Sequence, residues 1–414
     1  VHAARIRALR LAVLAVACPV MGSGTVGYAS ASGNFTASEP IGDSVHHWIE
    51  HPAELSALLE SKPARIGLDT EFVRERTYWP KLALVQIALR EDGDAPRVLL
   101  VDPLAPGMTA ALAPLLADRD VLKIMHSAGE DLIALRQACG ALPQPLFDTQ
   151  VAAALAGIGT GLGYQKLVQE LEGVALAKGE TRSDWLRRPL SPAQLEYAAD
   201  DVRHLHAMHD ALDAKLQALG RSGWLEQDCA RMIAAAERDE PERWPHLPLR
   251  AAQFLDAAGQ HRLLRLLRWR DAQARRSDRP RAWILDNELA VALARTPPAD
   301  PDELQSRLDA QPKAPRKLTA ALWQALITPL PDEALAPPIR GDDVDKKALR
   351  SLQDAVSGLS AELGLPDGVL ASRRWLEALL EGRWPDALSG WRRELLEPRL
   401  AALLPAGRVQ PASV

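Results

Sequence analysis

The sequence predicts an α/β layer domain followed by two all-α segments. Three observations carry this. Between Val45 and about Leu219, short apolar runs alternate with amphipathic stretches, the mixture of strands and helices that builds a layered domain. After about Gly220 the strand signals stop. Two Pro-rich, charged stretches, 238–249 and 327–343, then divide the remainder into helical segments over 250–326 and 344–405.

Each element has its own signature. "ARIGLDTEF" (64–72), "KLALVQIAL" (81–89), "RVLLVD" (97–102) and "LKIMHS" (122–127) read as strands. "AELSALLES" (53–61) and "DLIALRQACG" (131–140) read as helices. "SPAQLEYAADDVRHLHAMHDAL" (191–212) reads as one helix, opened by Ser191, Pro192 and Gln194. Its buried stripe is Leu195, Ala198, Val202, Leu205, His209 and Leu212. The 414 residues, 47% hydrophobic and 25% charged, make an ordinary globular composition with room for several domains. A formal net charge of −5 excludes a generally basic nucleic-acid binder and leaves only local patches to hold phosphate. Cys18, Cys139 and Cys229 are too scattered for a disulfide framework or a metal knuckle, which fits a reducing compartment. "RIRALRLAVLAVACPVMG" (5–22) resembles a signal-peptide start, but residues 1–44 read rather as an unstructured leader or upstream extension. No other segment reads as transmembrane.

The chemistry lies in acids. In "IGLDTEF", Asp69 and Glu71 are two residues apart on a strand and share a face. Alone, that pair is either a wet strand face or a cation site. In "VLKIMHSAGEDLIAL" (121–135), Ser127 and Glu130 have capping-box spacing, and Asp131 falls in the first helical turn. Capping and the helix dipole would account for both acids; the functional reading separates them, with Glu130 capping the helix and Asp131 facing a site above the strand ends. On the helix after Ser191, Asp201 sits on the rim of the buried stripe, with Tyr197 one turn before it. Asp200 falls on the opposite, wet side. Asp69, Glu71, Asp131 and Asp201 could converge at one sheet edge. Four such carboxylates need cations, and hard divalent ions take oxygen ligands. Two metals could then stabilise the attacking and leaving oxygens of a phosphoryl displacement, with Tyr197 orienting the water.

"LDTEF", "HSAGEDL" and "YAADDVRHL" resemble the three motifs of the DEDD exonucleases, and Tyr197, four residues before Asp201, resembles the tyrosine of the DEDDy branch. "DTEFVRERTYWPKLALVQIA" and "KGETRSDWLRRPLSPAQLEYAADDV" are similar to bacterial ribonuclease D. "HRLLRLLRWRDAQARRSDRPRAWILDNELAVALA" resembles HRDC domains, and "LASRRWLEALLEG" with "LSGWRRELL" resembles the C-terminal HRDC-like domain of that family. The resemblance covers 45 to about 405. It implies a ribonuclease H-like exonuclease domain, a mixed sheet flanked by helices, over 45–237, an HRDC domain over 250–330 and an HRDC-like domain over 342–406. It implies that Asp69, Glu71, Asp131 and Asp201 bind two divalent metal ions, Mg²⁺ or Mn²⁺, and that Tyr197 positions the nucleophilic water. The implied activity is 3′→5′ exoribonuclease action on RNA, notably tRNA precursors, by a cytoplasmic monomer that releases 5′-monophosphates. A DNA exonuclease with the same chemistry, or a non-catalytic RNA-binding protein on this fold, is the alternative.

Eight arginines lie in 261–281, and Arg262, Arg265 and Arg268 share one side of the first turns. They form either a solvated helix face or a stripe for the RNA backbone, and the second reading predicts weaker RNA binding when all three become Ala. Phe72 reads first as core and second as a base-stacking side chain. His126 reads as a strand-end hydrogen bonder. Trp79, Lys178 and Trp185 are left open.

Overall fold

The computed structural model describes residues 46–90, 96–176, 183–337 and 345–404. The leader 1–44 and Lys178 lie outside them.

Six strands form one mixed sheet: β1 (His46–Ile49), β2 (Arg65–Val73), β3 (Lys81–Leu89), β4 (Arg97–Val101), β5 (Leu122–Met125) and β6 (Leu146–Asp148). The order is β1-β4-β3-β2-β5-β6. β3 runs antiparallel to β2 and β4, and the outer pairs β1–β4, β2–β5 and β5–β6 are parallel. β3 lies at the centre with helices on both faces. Its near-continuous apolar run, Leu82–Ala88 with only Gln86 polar, is buried throughout. All four strands read from the sequence are present. β1 and β6, of four and three residues, are too short to show an alternation and were not expected.

Helices α1 (Pro52–Leu58), α2 (Met108–Ala117), α3 (Gly129–Cys139), α4 (Thr149–Leu155), α5 (Tyr164–Glu172), α6 (Pro192–Arg203), α7 (Leu205–Ala218) and α8 (Ser222–Arg238) flank the sheet. One pairing detail creates the site. β5 pairs with β2 only over Arg65–Gly67. Beyond Gly67 the β5 side of β2 is left to the N-terminus of α3. α6 lies across β2, β3 and β4, and α7 moves on to β2 and β5.

The stretch 191–212 is therefore two helices, not one, and the break falls at His204. The Tyr164 hydroxyl donates to the Asp200 carbonyl at 2.8 Å and accepts from the His204 amide at 3.2 Å. Those two backbone groups would bond each other in an unbroken helix. A side chain inserted into the ladder is a recognised cause of a kink. The start of α6 is as read: Ser191 and Gln194 form a complete capping box, with Pro192 in the first turn.

A second core is built by α9 (Ala257–Ser277), α11 (Asn287–Arg295), α12 (Pro301–Asp309) and α13 (Thr319–Ile327), through residues such as Leu263, Leu267, Leu289, Leu304 and Leu322, while the intervening α10 (Arg281–Ile284) packs Ile284 against Tyr78 and Ala274. Asp256, Asp286 and Asp300 cap three of these helices. It meets the sheet domain at the loop after β2. The Tyr78 hydroxyl donates to Asp271 at 3.0 Å, and the Tyr78 and Trp79 amides donate to Asp278 at 3.0 and 3.1 Å. The last helices, α14 (Lys346–Leu363), α15 (Arg373–Leu380) and α16 (Trp391–Leu400), share the core of the first domain. Trp391 stacks on Trp224 of α8, with ring centroids 4.3 Å apart.

The arginine stripe of α9 is not a solvated face: all three side chains are engaged by partners within the protein, which also weighs against the RNA-backbone stripe. Arg265 binds Glu333 through two hydrogen bonds of 2.5 and 2.6 Å and also reaches the Leu326 carbonyl. Arg268 pairs with Asp332 at 2.7 Å and lies over the Trp244 ring. Arg262 donates to the Ala294 carbonyl at 2.8 Å. Replacing Arg265 with Ala leaves the buried Glu333 carboxylate without its guanidinium. A loss of about 2–3 kcal/mol in urea unfolding is expected, with RNA affinity unchanged for the folded protein. The opposite pattern, full stability with weakened RNA binding, would restore the backbone-binding role.

Candidate active site

The site is the edge of β2 past the end of β5. Asp69 and Glu71 extend from one face of β2, with a β-bulge immediately after Glu71. Asp131 enters from the first turn of α3 and is buried. Its Oδ1 accepts from the Thr70 hydroxyl at 2.5 Å. Asp201 descends from the last turn of α6, with the Tyr197 hydroxyl close enough to favour its anion. The Tyr197 ring lies 6.1 Å from the buried ring of Trp185. The structure thus brings all five candidate residues into one cluster.

The electrostatics follow from that crowding. Loss of solvent pushes the Asp69 carboxyl well above the usual range, and the Asp131, Asp201 and Glu71 charges push it further. Burial, then Asp201 and Asp131, raises Glu71 to about 8. Burial raises Asp131 to about 7 against the Thr70 hydroxyl, which favours its anion. It raises Asp201 to about 7 against the Tyr197 hydroxyl in the same way. Burial and the neighbouring acids raise the Tyr197 phenol, which remains a protonated donor at neutral pH. Among the described residues, no three acidic, histidine or cysteine groups close around one point as a finished metal cage. Asp131 instead takes a hydroxyl donor of the protein, Thr70. The donor set fits a hard divalent cation: four carboxylates share a desolvated space, and among the described residues no basic side chain offsets their charge.

The α3 N-terminus departs from the sequence reading. Ser127 has φ 58°, in the left-handed region, and Ala128 is the N-cap, with no side-chain cap bond. A capping serine needs extended backbone, so the Ser127–Glu130 capping box does not form. The fully buried Asp148 carboxylate takes the Ser127 and Ala128 amides at 3.3 and 2.8 Å and also caps α4 through the Gln150 and Val151 amides. Glu130 is exposed and pairs with Arg74 at 2.7 Å. Glu130→Gln is therefore expected to cost less than about 1 kcal/mol in urea unfolding. A loss above 2 kcal/mol would reinstate a capping role.

Asp200 is half-buried and paired with Arg203, not on a wet face. His126 bonds the Thr149 hydroxyl at 2.8 Å, as a strand-end hydrogen bonder should. Phe72 packs against the core. Trp79 lies edge-on to Tyr78 and under Arg275. The sequence reading missed Thr70, Asp148 and Tyr164. Only Asp148 carried a signal: "LFDTQ" places an aspartate where a helix N-cap belongs.

Comparison with known proteins agrees with this architecture. The family model for 3′-5′ exonuclease matches residues 46–217, that for the HRDC domain matches 260–326, and that for the ribonuclease D C-terminal HRDC domain matches 345–400. Ribonuclease D of Xanthomonas oryzae pv. oryzae is 62% identical, over 87% of this chain and 99% of that one. Ribonuclease D of Pseudomonas paraeruginosa is 37% identical, over 84% and 94%. The crystal structure of Escherichia coli RNase D, described as an exoribonuclease involved in structured RNA processing, superposes with a TM-score of 0.72. It is 30% identical and covers 87% of this chain and 98% of that one.

Proposed function

The chain belongs to the ribonuclease D family, and on that premise we propose that Asp69, Glu71, Asp131 and Asp201 hold two divalent metal ions, Mg²⁺ or Mn²⁺, for 3′→5′ hydrolysis of RNA. The enzyme is a hydrolytic exoribonuclease. The observation that carries the site assignment is the gathering of these four carboxylates, with Tyr197, on the one stretch of β2 that β5 leaves open. When bound, the metals supply positive charge for the attacking and leaving oxygens and lower the pKa of the nucleophilic water.

The residues of the chain do the rest. Tyr197 presents its hydroxyl from α6 beside Asp201 and orients the water for in-line attack. Thr70 and Asp148 keep Asp131 and its helix in place. The scissile phosphate lies at the open β2 edge. The products are 5′-monophosphates, released singly from the 3′ ends of substrates such as tRNA precursors. The protein works as a cytoplasmic monomer; separately, among the described residues no helix is long and apolar enough to cross a membrane.

Digestion of 5′-labelled RNA tests this. With Mg²⁺ or Mn²⁺, a ladder shortening from the free 3′ end is expected. EDTA or a blocked 3′ end should stop it, and single-stranded DNA should be a poorer substrate. RNA bound but never cut would favour a non-catalytic scaffold, and equal cutting of DNA would remove the sugar selectivity.

A further inference from the structure

Tyr164 makes no hydrogen bond to the four acids, yet it sits where their arrangement is decided. It begins α5, directly after the glycine-rich segment 157–163, and its ring stands edge-on to His126 with centroids 5.8 Å apart. Its hydroxyl occupies the gap between the Asp200 carbonyl and the His204 amide. Asp201 is the residue immediately after that carbonyl. Unbroken, the chain from Pro192 to Ala218 would run straight and carry both helices over the same strands. The break lets α6 cover β2 to β4 while α7 turns to β2 and β5. Asp201 lies in the last turn before the bend, so its direction depends on where the bend falls.

We propose that Tyr164 is a positioning residue for metal binding: by holding the Asp200–His204 backbone pair apart, it aims Asp201 at Asp69 and Glu71. The inference rests on the four-carboxylate metal site proposed above. Tyr164→Phe keeps the ring and removes only the wedge. The Asp200 carbonyl and His204 amide then bond each other as an ordinary i,i+4 pair, and the last turn of α6 rewinds. Side chains that orient metal ligands typically affect affinity by about 10–100-fold.

The test uses the full chain and Mn²⁺ alone as probe, by calorimetric titration, alongside thermal unfolding and amide exchange at His204. For Tyr164→Phe, Mn²⁺ affinity is expected to fall at least about tenfold. The His204 amide should be more protected than in the wild type, and thermal stability should be retained. Wild-type Mn²⁺ affinity in the variant would overturn the positioning role and leave the metal site standing. A variant that failed to fold would also overturn it, because the hydroxyl would then be structural. If the wild type took up no Mn²⁺, the metal assignment itself would fall, and this inference with it.

Discussion

Asp131→Asn is expected to abolish exonuclease turnover, by on the order of 10³-fold or more, with little change in fold. Asparagine has the shape of aspartate, and its carbonyl oxygen can still accept from the Thr70 hydroxyl, which lies 2.5 Å from Asp131 Oδ1. The Asp148 bonds to the start of α3 do not involve position 131. What the substitution removes is one negative charge from a cluster in which burial has raised Asp131 to about 7. A charge held against burial and repulsion is a cost to the fold, so the variant should melt at the same temperature as the wild type in EDTA, or slightly higher. The contrast with Glu130→Gln separates the two adjacent acids: the exposed neighbour should keep full activity. Wild-type turnover in Asp131→Asn under saturating Mg²⁺ would remove Asp131 from the metal site.

Asp228→Ala is expected to cost about 3–5 kcal/mol of stability while leaving the chemistry of the site intact. Asp228 lies on α8 and accepts from Arg392 of α16 at 2.7 and 2.9 Å, from the Trp391 indole at 3.0 Å, and from Arg231. Both Asp228 and Arg392 are buried. Removing the carboxylate strands a guanidinium in the interior and loosens the Trp224–Trp391 stack beside it. The last three helices should then be the first to detach in urea, seen as early protease sensitivity around Trp391. Replacing Asp228 by Leu together with Arg392 by Met should recover much of the loss, since a well-packed apolar pair can replace a buried ion pair. A cost below about 1 kcal/mol for Asp228→Ala would mean that the pair is solvated and that other contacts dock the C-terminal helices.

Legibility in the sequence followed the physics of each element. β2 to β5 announced themselves because alternation or continuous apolarity over four to nine residues is a strong signal. β1 and β6 are defined by pairing with β4 and β5, and pairing is not written in the strand itself. The acids and Tyr197 were visible as motifs, and their convergence was a matter of topology. The Ser127–Glu130 spacing was misleading because a cap depends on backbone angles, and Ser127 is left-handed. The break at His204 was invisible because its cause, Tyr164, lies 40 residues away in sequence. The arginines of α9 showed charge but not partners, and Glu333 and Asp332 arrive from a later segment.

The central claim is that these four carboxylates are the metal site, and crystals grown with Mn²⁺ test it most directly through anomalous diffraction at the manganese edge. Two peaks roughly 3.5–4 Å apart are expected between Asp69, Glu71, Asp131 and Asp201, and both should vanish in Asp131→Asn or weaken to one. Manganese bound at other residues, in crystals of protein that still degrades RNA from its 3′ end, would contradict it.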